Sequence, residues 1–444
     1  MGAPWLERIG LHRPELRAWA SYDWANSAFM ATILPIFPIY FAKVAATDLA
    51  PAEATRRFAL ATSLSILVVA ASSPLLGAIA DQKAWKKRFL KVFLAMGVLA
   101  TGLMATVGRG DWLPGVALFA LANIGVTASI VFYNSLLPHI ARPGELDRVS
   151  MAGFALGYLG GGLLLAVNSA WIQWPASFGF ADGASALRAS FASAAVWWAF
   201  FSIPVLAWIA EPAGSGAGGS EGALAGAFRR LATTLRELGQ HKDAALLLLG
   251  FIIYNDAVVT IIRMATSYGT EIGIAPAALI AAVLLIQFVA IPFSFLAGAI
   301  AGRIGARATI LACLAVYVII AILGYRLTTA RQLFGLAFLV GMVQGGVQGL
   351  SRSLFATMVP RHKSAEMFGF YGVFDKFGGA MGSALIAAVI GATGSSRPAI
   401  LALSSFFVIG GLLLSRVDVA AGQRAAREAE ADTRAPGAAS APPG

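Results

Sequence analysis

The sequence predicts an all-α membrane protein of twelve transmembrane helices in two six-helix halves, with both termini in the cytoplasm. Three observations carry that prediction: an apolar composition, twelve runs of spanning length and an internal repeat. Of 444 residues, 58% are hydrophobic and 12% charged, against about 25% charged in an ordinary soluble domain. The net charge of +11 is scattered over short loops between apolar runs. It excludes a basic nucleic-acid-binding face and suits the positive-inside rule.

Runs of about 20 apolar residues, enough to cross a ~30 Å hydrocarbon core, fall at 17–42, 58–81, 89–108, 113–138, 150–172, 190–210, 244–270, 276–301, 307–326, 332–358, 367–391 and 397–416. An even number of spans puts both termini on one side. That side holds two-thirds of the 33 Lys and Arg residues, with "DQKAWKKRFLK" from Asp81 as the strongest contributor, so it is the cytoplasmic side. The N-terminal "MGAPWLERIGLHRPELRAW" carries acids and lacks a cleavable apolar core, so no removed signal peptide is expected. The single cysteine, Cys313, excludes an intrachain disulfide. The expected setting is the plasma (bacterial inner) membrane, as a multi-pass monomer with the lipid bilayer as its partner.

Four segments follow. Residues 1–210 make the N-terminal half and 244–416 the C-terminal half, joined by a cytoplasmic linker at 211–243. In the linker Leu224, Phe228, Leu231, Leu235 and Leu238 recur at spacings of four and three, while Arg229, Arg230 and Arg236 fall largely off that stripe. It reads either as an amphipathic helix on the membrane surface or as a tether. The tail at 417–444, rich in Ala, charge and Pro, is expected to be disordered.

The repeat shows in two places. "GAIADQKAWKKRFL" from Gly77 and "GAIAGRIGARATIL" from Gly298 each close the second span of a half. "NSLL" from Asn134 and "RSLF" from Arg352 each end a fourth span and precede a glycine-rich fifth. The loop after the second span resembles the major facilitator signature of a Gly, an Asp four residues on and a basic cluster, here Gly77, Asp81, Lys86, Lys87 and Arg88. Gln82 and Ala84 depart from it in the first half. In the second half Gly298, Arg303, Gly305 and Arg307 fit, but Gly302 stands in place of the Asp. More narrowly, "YDWANSAF", "YNSLLPHIA", "GFALGYLGGG", "YNDAVVTIIRMA", "GGVQGLSRSLFATMVP" and "EMFGFYGVFDKFG" are similar to the family of autophagy-related vacuolar amino-acid effluxers and their bacterial relatives. The resemblance implies two parallel six-helix halves and a central cavity lined by spans 1, 4, 7 and 10.

Polar stripes, found by spacing alone, lie on those four spans. Asp23, Asn26 and Ser27 share a face of the first span. Asn123, Thr127 and Asn134 align on the fourth. Asp256, Thr260, Arg263 and Ser267 align on the seventh, and Gln344, Gln348 and Arg352 on the tenth. A charge at mid-bilayer costs roughly 2.5–3.5 kcal/mol on insertion scales, so Asp23 either faces the cavity or caps the first helix near the interface. Arg263 either binds or snorkels outward, and Arg352 either binds or anchors the end of its helix. Asp256 and Arg263, about 10 Å apart along one face, could bracket a zwitterion. Asp81 is expected to meet the N-terminal end of the eleventh helix and latch the halves. Asn168 and Gln287 read as helix-to-helix partners, and Asp375 with Lys376 as structural. Gly153, Gly157 and Gly161, like Gly378, Gly379 and Gly382, read as packing faces.

No catalytic set is present. The histidines His12, His139, His241 and His362 form no metal spacing, no phosphate loop implies ATP drive, and no cofactor is expected. The leading reading is a secondary transporter moving a small polar solute, an amino acid foremost, by alternating access with protons as coupling partner. The rivals are an exporter of an amphipathic lipid or drug, and a non-transporting receptor or assembly factor.

Overall fold

A computed structural model of the chain describes residues 4–215, 242–377 and 380–434. The linker stripe from Leu224 to Leu238, Gly378, Gly379 and residues 435–444 lie outside the described residues, as do the side chains of Ser267, Asp375 and Lys376. Eleven described helices are long and apolar enough to cross a membrane. They are span 1 (Pro14–Ala45), span 2 (Pro51–Lys83), span 3 (Lys86–Thr106), span 4 (Trp112–Ile140), span 5 (Leu146–Gln173), span 6 (Gly183–Trp208), span 7 (Lys242–Glu271), span 8 (Pro276–Ile304), span 9 (Ala306–Tyr325), span 10 (Ala330–Thr357) and span 12 (Ser396–Ser415). Span 11 comprises Ser364–Phe377 and Ala380–Thr393. With span 11 the described helices account for the twelve spans expected from the sequence.

Most spans overrun their apolar runs, because backbone groups in lipid must be satisfied within the helix and polar ends continue it past the hydrocarbon. Span 1 shows the cost of proline. Pro35 and Pro38 cannot donate to the helix ladder, and the chain takes up the mismatch in two widened π turns, Phe29–Ile33 and Phe41–Ala45. Span 6 bends at Ser202, just before Pro204.

Glycines set how closely the helices approach. A Cβ on Gly160 would lie 2.9 Å from the Trp24 indole of span 1. Gly125 of span 4 and Gly97 of span 3 pack backbone to backbone, so that a Cβ on Gly125 would come 2.6 Å from Gly97 N. Small residues let helices meet this closely where lipid supplies no hydrophobic drive between them.

The tail differs from expectation. Val419–Arg434 is a helix, since Ala, Arg, Glu and Gln are strong helix formers. It docks on the end of the bundle that carries the termini. Asp418 caps it through Ala421 N at 2.9 Å, Ala426 is buried, and Glu430 accepts from Arg361 N at 2.8 Å. The N-terminal arm is held at the same end. Arg13 donates to Glu145 at 2.6 Å and to Ile140 O at 2.9 Å. Burial alone would raise the Glu145 carboxyl, but the Arg142 N–H and the Arg13 guanidinium outweigh it and hold it below the ordinary carboxylate range.

Candidate functional site

The two halves join near the terminal end around one buried arginine. Arg352, on span 10, is 4% exposed. Its Nη2 donates to Asp23 Oδ2 at 3.0 Å, and its Nη1 to Asp23 Oδ1 at 3.3 Å and Asn134 Oδ1 at 3.3 Å. Nε donates to Ser150 Oγ at 2.9 Å and Nη2 also to Ser150 O at 2.8 Å. The guanidinium lies 4.4 Å from the Phe154 ring centroid, 4.7 Å from that of Trp19 and 5.8 Å from that of Tyr133. Spans 1, 4, 5 and 10 therefore converge on one cation, held by a carboxylate fork, neutral oxygens and aromatic faces.

Asp23 is not a cap. Span 1 begins at Pro14, with Arg13 in the N-cap place and no side-chain cap bond, so Asp23 lies more than two turns inside the helix. Gly153 explains how the pair fits. A Cβ there would collide with Asp23 Oδ2 and sit 3.1 Å from Arg352 Nη2 and from the Trp19 ring. Gly157 likewise makes room for Ser27 Oγ, which a Cβ would meet at 2.9 Å.

Other stripe residues serve differently. Asn26 donates to Tyr22 O at 2.7 Å and Ser27 to Asp23 O at 2.6 Å, both within their own helix. Asn123 donates to Ser65 Oγ at 2.8 Å, which joins spans 4 and 2 rather than facing a solute. Thr127 is buried. Gln348 donates to Asn255 Oδ1 at 3.3 Å between spans 10 and 7, while the Gln344 oxygen is buried without a hydrogen-bond partner. Asp256 and Arg263 make no direct ion pair among the described residues, although Arg263 acts on Asp256 electrostatically across the turns between them. Asp256 is fully buried against Gly382 of span 11, and Arg263 is exposed. Asn168 accepts from Ser193 at 3.0 Å between spans 5 and 6, and Gln287 packs on Gly161 and Gly162.

A second charged contact closes the same end. Asp81 pairs with Lys86 at 2.5 Å, both side chains being buried. Its oxygens accept from Ala365 N at 3.1 Å and Glu366 N at 2.9 Å, in the first turn of span 11. A carboxylate there satisfies N–H groups that the helix leaves open and meets the positive end of its dipole. Gly77 permits the approach, since a Cβ would lie 2.7 Å from Glu366 Cα. Lys87 and Arg88 do not reach Asp81. Lys87 is bound to Ile209 O and, through its N–H, to Glu211 at 2.9 Å, while Arg88 lies over Trp85 at 4.4 Å. The repeat in the second half packs span 8 on span 5: a Cβ on Gly298 would meet Met151 Cβ at 3.1 Å. Gly302 and Arg303 are exposed, Gly305 ends span 8 with φ 87°, and Arg307 donates to Val417 O at 2.5 Å.

Sequence reasoning missed Ser150, Trp19, Tyr133 and Phe154. Trp19 sits one turn before Asp23 and Tyr133 precedes Asn134, so both were within sight of the stripes. Ser150 carried no spacing signal. His139 lies in the last turn of span 4, with Nε2 3.1 Å from Ser364 Oγ.

Twelve spans in two repeated halves, sealed at one end by charged contacts between them, define a solute transporter of the major facilitator type. The chain belongs to the family described as "Vacuole effluxer Atg22 like", whose model matches residues 50–146 and 144–427. It is 33% identical to an uncharacterized major-facilitator-type transporter of Bacillus subtilis, YxiO, over 90% of this chain and 94% of that protein. It is 24% identical to autophagy-related protein 22-1 of Penicillium rubens, over 83% of this chain and 76% of that protein. Among solved structures, the proton:xylose symporter XylE superposes with a TM-score of 0.67 at 14% identity, covering 94% of this chain and 96% of XylE. FucP in its outward conformation gives 0.66 at 12% identity, covering 91% and 99%. These likenesses identify a multi-pass transporter, not an enzyme.

Proposed function

We propose that the chain is a secondary transporter that moves a small zwitterionic solute, an amino acid, by alternating access across the bacterial plasma membrane. The observation that carries this reading is the Asp23–Arg352 pair, which bridges the two halves beneath an aromatic cage. A solute with an ammonium and a carboxylate offers each partner a replacement charge, so the pair can part without leaving either charge bare. The fork of Arg352 suits a carboxylate. The end sealed by Asp81 and Arg352 is then the cytoplasmic end, in keeping with the distribution of Lys and Arg. A cation moving down its gradient supplies the drive, the sequence reading taking a proton for that ion.

The test is a thermal-shift screen of purified protein against amino acids, peptides, sugars and organic acids, because a ligand that binds only the folded state raises apparent stability. The expected result is a saturable rise with an amino acid, lost in Asp23→Asn and in Arg352→Gln. A rise with a sugar or an apolar amphiphile alone, or one that survives both substitutions, refutes the reading.

A further inference from the structure

A cavity of about 80 Å³ lies inside the C-terminal half, toward the end away from the chain termini. Spans 7, 8, 9, 10 and 12 all contribute to its wall, through Ile261, Leu279, Ile320, Ala337 and Ile400 among others. Tyr268 stands at the outer rim. Its ring lines the cavity, while its hydroxyl donates to Leu327 O at 3.4 Å and accepts from Arg397 Nε at 3.1 Å. Tyr268 and Ile261 are seven residues apart on span 7, about 10 Å at ~1.5 Å per residue. That depth is most of the ~15 Å of hydrocarbon in one leaflet, half of a ~30 Å core.

The wall decides what suits this space. Its side chains are hydrocarbon but for the Tyr268 hydroxyl, which is already bonded twice, so water would find few of the polar partners it needs there. Hydrocarbon supplies the dispersion contacts that such a wall otherwise forfeits. In a membrane it is at hand, because a lipid chain entering the cavity exchanges one apolar medium for another. The cavity is not sealed, and the half-buried Ile262, Ala265 and Val283 lie along it. The rim has the opposite character. At this end of the C-terminal half Arg326, Arg331 and Arg397 face a single acid, Glu271, whose carboxylate accepts from Ser396 Oγ at 2.5 Å. All three arginines are exposed, and none forms an ion pair among the described residues. Each adjoins the cavity: Arg326 and Arg331 stand beside the lining residues Leu327 and Leu333, and Arg397 holds Tyr268. A guanidinium fork matches a phosphate in shape and in charge.

We propose that the cavity and its arginine rim bind one anionic phospholipid, with the end of an acyl chain against Ile261 and Ala337 and the phosphate on Arg397, flanked by Arg326 and Arg331. The wall accepts any hydrocarbon; the rim selects the negative headgroup. With the termini in the cytoplasm this lipid belongs to the outer leaflet, where the positive-inside rule keeps Lys and Arg scarce and a rim of three arginines has a local cause. The site is separate from the Asp23–Arg352 pair, and it ties the stability of the C-terminal half to the charge of the surrounding lipid.

Lipid retention is read without a solute, so its failure is distinct from failure of the amino-acid reading. The full-length protein is purified in mixed micelles that hold equal amounts of dioleoylphosphatidylglycerol, dioleoylphosphatidylcholine and dioleoylglycerol, and the lipid it keeps is identified by native mass spectrometry. The expected result is one phosphatidylglycerol per chain, preferred about tenfold over either neutral competitor, as one charge-assisted contact provides. Arg397→Gln should abolish the preference. Ala337→Leu, which fills the cavity, should cut phosphatidylglycerol retention in a protein that still melts cooperatively; where it does not fold, Arg397→Gln decides alone. Equal retention of the three lipids, or retention of dioleoylglycerol alone, marks the cavity as a site for apolar molecules at large and overturns the proposal. Undiminished phosphatidylglycerol on folded Arg397→Gln places the lipid elsewhere on the protein and overturns it too.

Discussion

Arg352→Gln and Asp23→Asn, singly and together, put the central pair to a quantitative test. Arg352 is 4% exposed, whereas the Asp23 side chain keeps 14% of its surface. Each single substitution strands a buried charge, a change that costs about 3 to 5 kcal/mol when the partner is fully enclosed. Both losses should fall short of the upper figure. In Asp23→Asn the guanidinium keeps Ser150 Oγ, Ser150 O, Asn134 Oδ1 and three aromatic faces, so it retains part of its support. In Arg352→Gln the carboxylate loses both fork contacts but can draw water through its exposed edge. Each single mutant is therefore expected near the lower end, about 3 kcal/mol, and the double mutant at no more than the worse single. The coupling energy would then be about 3 kcal/mol, the top of the usual 0.5–3 kcal/mol range for contacting residues. The assay is equilibrium unfolding in detergent followed by tryptophan fluorescence. Losses that add to within about 0.5 kcal/mol would show that the pair is not a unit and that its geometry carries no energetic weight.

Asp81→Asn should shift the resting population toward a form open at the terminal end, because the amide loses the ion pair with Lys86 and holds the first turn of span 11 more weakly. Labelling of a Ser135→Cys probe in a Cys313→Ala background should rise. Gly153→Ala should fold but destabilise by about 1–3 kcal/mol as overpacking does, and should separate Asp23 from Arg352; a transport rate equal to wild type would contradict the fit described for Gly153. Truncation after Asp418 removes the helix that caps the Arg361 N–H and should raise amide exchange in residues 361–363. The Arg13–Glu145 clip should weaken only under acid. The Glu145 carboxyl is held low, so its contribution is present above the ordinary carboxylate pKa of about 4.3 and is lost as pH falls through the lower folded value. Loss of the N-terminal arm's protease protection already at pH 6 would refute this.

The fold could be read from the sequence because membrane insertion is decided locally: each span announces itself by its own apolar length, whatever its neighbours. The repeat at Gly77 and Gly298 was legible for the same reason, since both glycines answer one packing demand in two halves. The charged pairing was not. Spacing put Asp256 and Arg263 on one helical face, and a helix does place residues seven apart near the same line. Which carboxylate meets which guanidinium, however, depends on the approach of spans 1, 5 and 10, governed by Gly153, and one residue's lack of a side chain leaves no polar signal. Ser150 was invisible for the complementary reason. It acts through its carbonyl as much as through its hydroxyl, and every residue has a carbonyl. The tail helix was misjudged from composition, because Ala with alternating charge favours a helix as readily as disorder, and Met358 packing on Gly422 together with the Glu430 contact decides between them.

The placement of charges also bears on how the two halves can separate. Asp81 grips backbone N–H groups that span 11 offers whatever its side chains are, so that contact is indifferent to solute and sets a standing bias toward closure of the terminal end. Asp23 grips Arg352, and on the proposed function that contact is exchanged for one with a solute carrying the same charges. A lock composed of one fixed and one exchangeable element yields only when the exchangeable one is relieved. For opening to be coupled to loading, the solute must then lower the cost of parting Asp23 from Arg352 by more than the Asp81 grip resists. If the coupling energy of the pair is about 2–3 kcal/mol, a solute that replaces both contacts shifts the opening equilibrium by a factor on the order of 30 to 150, since each 1.4 kcal/mol is tenfold. A solute carrying only one of the two charges relieves one partner and strands the other. Such a molecule should bind without opening the terminal end, and so act as an inhibitor of the protein rather than as its cargo.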